Sequence, residues 1–142
     1  MWLYKGEPVN EIDPKYLAFV YLITNNISGR KYIGQKTTKS TKTKQIKGKK
    51  KKIKVESDWR DYWSSSEALK QDIELLGKHN FTREILYFCL NKGTSNYIEA
   101  REQFDNKVLE YPELWYNGII NCRCHYKHLK LEEYETTNTE LH

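Results

Sequence analysis

No stretch of the 142 residues approaches the roughly 18 consecutive apolar residues that a membrane-crossing helix needs. The opening MWLYKGEPVNEIDP also lacks a basic leader followed by an apolar run, so a soluble, cytoplasmic protein with no membrane partner is expected. Cysteine is scarce. Cys89, Cys122 and Cys124 are an odd number, and the last two are one residue apart, where a disulfide would be strained, so reduced thiols are expected. The same closeness argues against zinc at Cys122, Cys124, His125 and His128, because structural sites space their cysteine pairs by two to four residues. There is no internal repeat. With 38% hydrophobic and 30% charged residues the chain has material for one modest core, which excludes global disorder and fits a single domain over 1–142.

Acid is absent from one long segment. From Lys36 to Lys54, KTTKSTKTKQIKGKKKKIK, there are ten lysines and no Asp or Glu. The whole chain holds 24 Lys plus Arg against 19 Asp plus Glu, so removing those ten leaves 14 bases against 19 acids, a net −5. The basic character of the protein is therefore one insert, at about 36–56. Its only large apolar residues before Val55 are Ile46 and Ile53, too few for an amphipathic face, and a mobile loop or a long hairpin is expected. A polyanion is the natural partner. Lysines pairing with phosphates displace condensed counterions, which makes such binding steeply salt-dependent and largely blind to sequence.

Elements can be placed by pattern. AFVYLIT at 18–24 and RKYIGQ at 30–35 read as two strands joined through NNISG, with the tip near Asn26 and Ile27. A register pairing Ile23 with Arg30 sets Tyr21 directly opposite Tyr32, both phenols on one face. DWRDYW gathers two tryptophans and a tyrosine around Arg60. Ser64 with Glu67 forms a capping-box pattern, and SEALKQDIELLG continues as a helix closed by Gly77. FTREILYFCL gives a third strand. A second helix is expected from about Ser95 to Glu110, ended by Pro112. LWYNGIINC at 114–122 reads as a short strand or an irregular closing segment, and LEEYETTNTELH as a frayed end.

Phe19-Val20-Tyr21, ten further residues, then Tyr32-Ile33-Gly34 resembles the paired motif of the GIY-YIG nuclease superfamily. A Trp/Arg/Tyr segment, a helix bearing Ala100-Arg101-Glu102-Gln103-Phe104, and a late Asn, either Asn117 or Asn121, follow in that family's order. WLYKGEP at the start and YIGQK followed by a basic segment and DWRDYWSSS are similar to the phage-encoded, Seg-like homing endonuclease group. Ala18 or Phe19 stands where the superfamily often has Gly. The family arginine is represented by Arg60, with Lys36 a competing cation.

The resemblance implies a small α/β domain, a mainly antiparallel sheet of three or more strands flanked by helices. It also implies hydrolysis of a DNA phosphodiester with one divalent metal, Mg²⁺ or Mn²⁺. A phosphodiester resists attack because its own charge repels hydroxide, so cationic groups must neutralise the charge that builds on its oxygens. On this reading Glu102 holds the metal with waters, Tyr21 or Tyr32 serves as general base, Arg60 braces the phosphorane, and Asn117 is a hydrogen-bonding support. Lys36, Lys49, Lys50, Lys51, Lys52 and Trp59 are the expected DNA contacts.

Helix geometry bears on the carboxylate independently. At about 100° per residue, Tyr97, Ile98, Ala100, Phe104, Val108 and Leu109 define an apolar arc with Glu102 at its edge and Glu99 turned further to solvent. The expected partner is double-stranded DNA, with a homodimer assembling on it where both strands are cut. A non-catalytic DNA-binding protein and a restriction or repair nuclease are the competing classes.

Overall fold

The structure is a computed structural model, described here for residues 1–132. The expected fraying of LEEYETTNTELH lies, from residue 133 onward, outside the described residues. Seven strands form in chain order: β1 (Trp2–Tyr4), β2 (Glu7–Pro8), β3 (Ala18–Asn25), β4 (Lys31–Thr37), β5 (Lys39–Ile46), β6 (Lys49–Glu56) and β7 (Phe81–Cys89). Two α-helices join them, α1 (Glu67–Leu76) and α2 (Lys92–Asp105). The main sheet runs β2-β1-β7-β3-β4, antiparallel except for the β1–β7 pair, and β5–β6 stand apart as a two-stranded ribbon. This is the mixed α/β architecture with a mainly antiparallel sheet that the resemblance implies.

The β3–β4 hairpin forms where expected but with a corrected register: Tyr21 pairs with Gly34, and Tyr32 pairs with Ile23. The cause is the loop. The Asn25 side chain accepts from Ile27 N and Ser28 N, while Gly29, at φ +79°, donates its N–H to the Asn25 carbonyl. That Asx turn closes four residues, 26–29, instead of the two-residue tip, so every pairing moves by two. Because the shift is even, Tyr21 and Tyr32 still share a face.

Each face of the sheet buries a different cluster. Trp2, Phe19, Tyr21, Ile23, Phe81 and Ile85 face α1, meeting Leu69, Ile73 and Trp59. Ala18, Val20, Ile33 and Cys89 face α2, meeting Ile98 and Val108. A bulge on β7, where the pairing skips Leu86, turns Phe88 to the first face and Cys89 to the second.

Both helices start differently from the sequence reading. The cap of α1 is Ser66, whose Oγ accepts from Leu69 N, not Ser64. Helix α2 begins at Lys92, capped by Asn91 through Thr94 N, and gives way at Asp105 to turns well before Pro112. Its buried residues are Thr94, Ser95, Ile98, Ala100 and Gln103, whereas Phe104 and Leu109 of the expected apolar arc are exposed. Ile98, Ala100 and Val108 of that arc are buried, but Thr94, Ser95 and Gln103 complete the inward face, so hydrophobic periodicity placed it too far round toward Phe104.

The outer edge of β4 is covered by the segment after α2, which adds one parallel bridge at Lys31–Trp115. Asn117 completes the cover. Its buried amide accepts from Ile33 N at 3.0 Å and donates to Ile33 O at 2.8 Å, replacing the strand that β4 lacks. Asn117→Ala leaves that buried backbone pair with one fewer partner on each side, and we expect a loss of about 1–3 kcal/mol in urea unfolding. A loss under about 0.5 kcal/mol would mean that this edge is held by other contacts.

Candidate active site

The hairpin brings two phenols together over a glycine. Tyr21 is fully buried, with its ring across Gly34: a Cβ added there would sit 2.5 Å from Tyr21 Oη and 2.8 Å from Tyr32 Cε2. Gly34 is thus required by close approach. The Tyr21 and Tyr32 ring centroids are 6.2 Å apart, and Tyr62 packs edge-on to Tyr21 at 6.1 Å. Tyr32 also shares a hydrogen bond with Ser65 at 3.4 Å.

Burial raises the Tyr21 phenol well above its usual range, with the neighbouring Tyr32 and Tyr62 adding and a hydrogen bond from Ser64 opposing. Burial raises Tyr32 too, and among its smaller causes is the charge of Glu99. Ser64, missed as a site neighbour by sequence reasoning, is a buried non-glycine residue at φ 148°. A backbone held in that glycine-favouring region beside the Tyr21 hydroxyl stores strain next to the two phenols.

The cations divide between two places. Lys36 Nζ lies 4.3 Å from the centroid of the Tyr62 ring and 2.5 Å from Asp58 Oδ1, and its hydrogen bond lowers the Asp58 carboxyl. Arg60 turns elsewhere. Its guanidinium pairs with Glu11 and Glu56, donates to the Asn10 carbonyl and covers the Trp59 ring. The structure thus brings Lys36 to the phenols and leaves Arg60 with the N-terminal loop.

Both helix acids are half-buried, and the sequence reading of direction is corrected at Glu99. Glu99 is turned inward: Gln35 Nε2 donates to its Oε1 at 3.1 Å, and burial raises its carboxyl against the opposing pull of that bond and of Lys92. Gln35 also donates to Asn96 and accepts from Ser95 and Lys92. The Lys92 ammonium is lowered, first by burial, with Glu99 opposing and Lys36 adding. Glu102, one turn further along the same side of α2, accepts from the Tyr87 hydroxyl at 3.0 Å.

Trp59 is 2% exposed, its carbonyl accepting from Trp2 Nε1, so its ring has no free face for a base, contrary to the expected DNA contact. Lys49, Lys50, Lys51 and Lys52 are all exposed on β6. Asn121 is exposed, whereas Asn117 is buried against Ile33 in the YIG triplet. Arg83 was not singled out from the sequence. Buried between Trp2 and Trp63, it donates to the Arg60 and Tyr62 carbonyls, and burial brings its pKa down to about 10. The one signal for it is an arginine at an inward position of the FTREILY alternation.

A family model described as "Putative endonuclease segE, GIY-YIG domain" matches residues 2–120. The chain belongs to this GIY-YIG family. The family is one of endonucleases, so the phenol cluster, Lys36 and Glu99 lie in a nuclease fold. Neither a search of curated proteins nor one of solved structures found a match. No helix among the described residues is long and apolar enough to cross a membrane.

Gly34→Ala in this GIY-YIG domain must displace both phenols, and an overpacking cost of about 1–3 kcal/mol is expected, with an altered near-ultraviolet circular dichroism spectrum. Alkaline pH provides a second check. Tyr21 keeps its proton in the folded chain beyond the pH, near 10, at which the unfolded chain releases it. Its contribution to stability is therefore whole below about pH 10 and declines above it, by up to about 1.4 kcal/mol per pH unit. Tyr21→Phe should flatten that decline in unfolding curves between pH 9 and 11, and an unchanged slope would place the late-ionising group elsewhere.

Proposed function

We propose that this chain is a divalent-metal-dependent DNA endonuclease of the homing type, which hydrolyses phosphodiesters at the β4 edge. The observation that carries the reading is the convergence of Tyr21, Tyr32, Lys36 and Glu99 around one strand, inside a domain whose family is one of endonucleases.

Among the described residues no group of three His, Cys, Asp or Glu side chains is placed to hold a metal ion. One carboxylate beside an amide fits a hard ion that keeps most of its waters, which favours Mg²⁺ or Mn²⁺ over a fully protein-ligated metal. Glu99 would hold it, with Glu102 the alternative from the family motif. Bound there, the ion supplies charge neutralisation at the phosphate.

The chain's own residues do the rest. Lys36 and Lys92 draw the scissile phosphate to the strand and oppose the charge that accumulates on its oxygens. Tyr32, less enclosed than Tyr21, is the general base: burial holds its phenol protonated, so it first releases that proton to solvent, and the phenolate then takes one from an attacking water. Tyr21 and Gly34 fix the Tyr32 ring, and Asn117 fixes the backbone of Ile33 next to it. The exposed lysines of β5–β6 hold the duplex. One such site cuts one strand, so a double-strand break requires two chains or two successive events.

The deciding experiment incubates supercoiled plasmid with Mg²⁺ or Mn²⁺, comparing the wild type with Glu99→Ala, Glu102→Ala and Lys36→Ala, with an EDTA control. We expect metal-dependent nicking that falls about 100-fold or more in Glu99→Ala and Lys36→Ala and less than about tenfold in Glu102→Ala. The reverse order for the two glutamates would return the metal to Glu102. The engagement of Arg60 by Glu11 and Glu56 favours a second reading, a DNA-binding protein without turnover. Intact plasmid with retained duplex binding would select it.

A further inference from the structure

The β5–β6 ribbon has two unlike faces. Opposite residues of an antiparallel pair share a face, so Thr41↔Lys54, Thr43↔Lys52 and Gln45↔Lys50 put six polar side chains on one side. Lys42↔Ile53, Lys44↔Lys51 and Ile46↔Lys49 fall on the other, next to Val55. Every residue with a large apolar side chain is thus on the second face. Composition alone hides this segregation, because lysine occurs on both.

The first face has what direct readout needs. Lysine donates to guanine O6 and N7, glutamine pairs in two points with adenine, and threonine offers a hydroxyl and a methyl. A two-stranded ribbon is one of the elements that the major groove of B-DNA, about 12 Å wide, admits. Successive pairs on one face are about 6.8 Å apart, near two base-pair steps, so three pairs span about four steps, or about five base pairs. With that face inward, Lys42 and Lys44 on β5 and Lys49 and Lys51 on β6 lie outward on opposite edges, where each strand's phosphates pass.

The ribbon is also firmly rooted beside the cluster. Only Thr38 separates it from β4; this buried residue bonds Leu17 O through N and Tyr16 O through Oγ1, while its carbonyl accepts from Ser57 N. An eight-residue strand extends about 26 Å, so what the ribbon reads lies within about one helical turn of what the cluster cuts.

We propose that the β5–β6 ribbon enters the major groove of duplex DNA with Thr41, Thr43, Gln45, Lys50, Lys52 and Lys54 against the base edges, and that this face selects the cleavage site. The proposal rests on the DNA-endonuclease reading and adds sequence choice to it.

The test selects duplexes from a randomised pool with the full-length chain in EDTA, then maps the selected site by guanine N7 methylation interference. The wild type should enrich a motif of about five base pairs, N7 methylation within it should block binding, and double-stranded RNA, whose major groove is too narrow, should compete poorly. Thr43→Ala with Gln45→Ala should bind the motif about tenfold more weakly, without change in the salt slope. Lys44→Ala with Lys49→Ala should weaken all duplexes alike and reduce the salt slope by about two. Salt-dependent binding with no motif, or a motif indifferent to N7 methylation, would overturn the groove assignment and leave the endonuclease reading standing. An absence of duplex binding by the wild type would overturn both.

Discussion

The contact on which the site depends is the Tyr21 ring lying across Gly34. It needs a residue without a Cβ at one position, and it needs the register that brings that position opposite Tyr21. The four-residue loop closed by Asn25 supplies the register, so a side-chain amide at the hairpin end determines which residues meet four positions away. With a two-residue tip, Tyr21 would face Tyr32 directly and Gly34 would lie opposite Phe19. Both phenols would then compete for the same space.

Strand β4 is where the two sides of the sheet are joined. Tyr32, Gly34 and Lys36 point to the α1 face; Ile33 and Gln35 point to the α2 face. An edge strand lets groups from both faces meet around its open side, which a central strand would prevent. Gln35 carries Glu99 to that edge from one face, and Lys36 arrives from the other. Asn117 and the bridge at Trp115 satisfy part of the exposed backbone without covering it with another strand.

Strands β3, β4 and β7 were legible in the sequence because aromatic and β-branched runs bounded by turn residues mark them directly. The register was not, since Asn25 reads as the last strand residue and only its side-chain bonds reveal the longer loop. Tyr21 and Tyr32 were legible through motif spacing. The direction of Glu99 was not, because α2 buries Thr94, Ser95 and Gln103, and polar residues held by specific hydrogen bonds leave no hydrophobic trace. Trp59 misled in the opposite sense: next to an arginine and close to a lysine run, it resembles a stacking platform, yet its ring completes the core. The brief β1 strand, which brings Trp2 against Tyr21, is too short for any periodicity to show.

The ribbon leaves the outer backbone edges of both β5 and β6 unpaired, an arrangement that in most proteins invites further strands to add on. Lysine is the residue that blunts such edges, through mutual repulsion between copies, and Lys44 directly opposite Lys51 shows how far the repulsion is carried. The charge that suits a polyanion therefore also opposes the addition of a strand from another copy at these edges. Binding a polyanion there would neutralise the same lysines that blunt these edges.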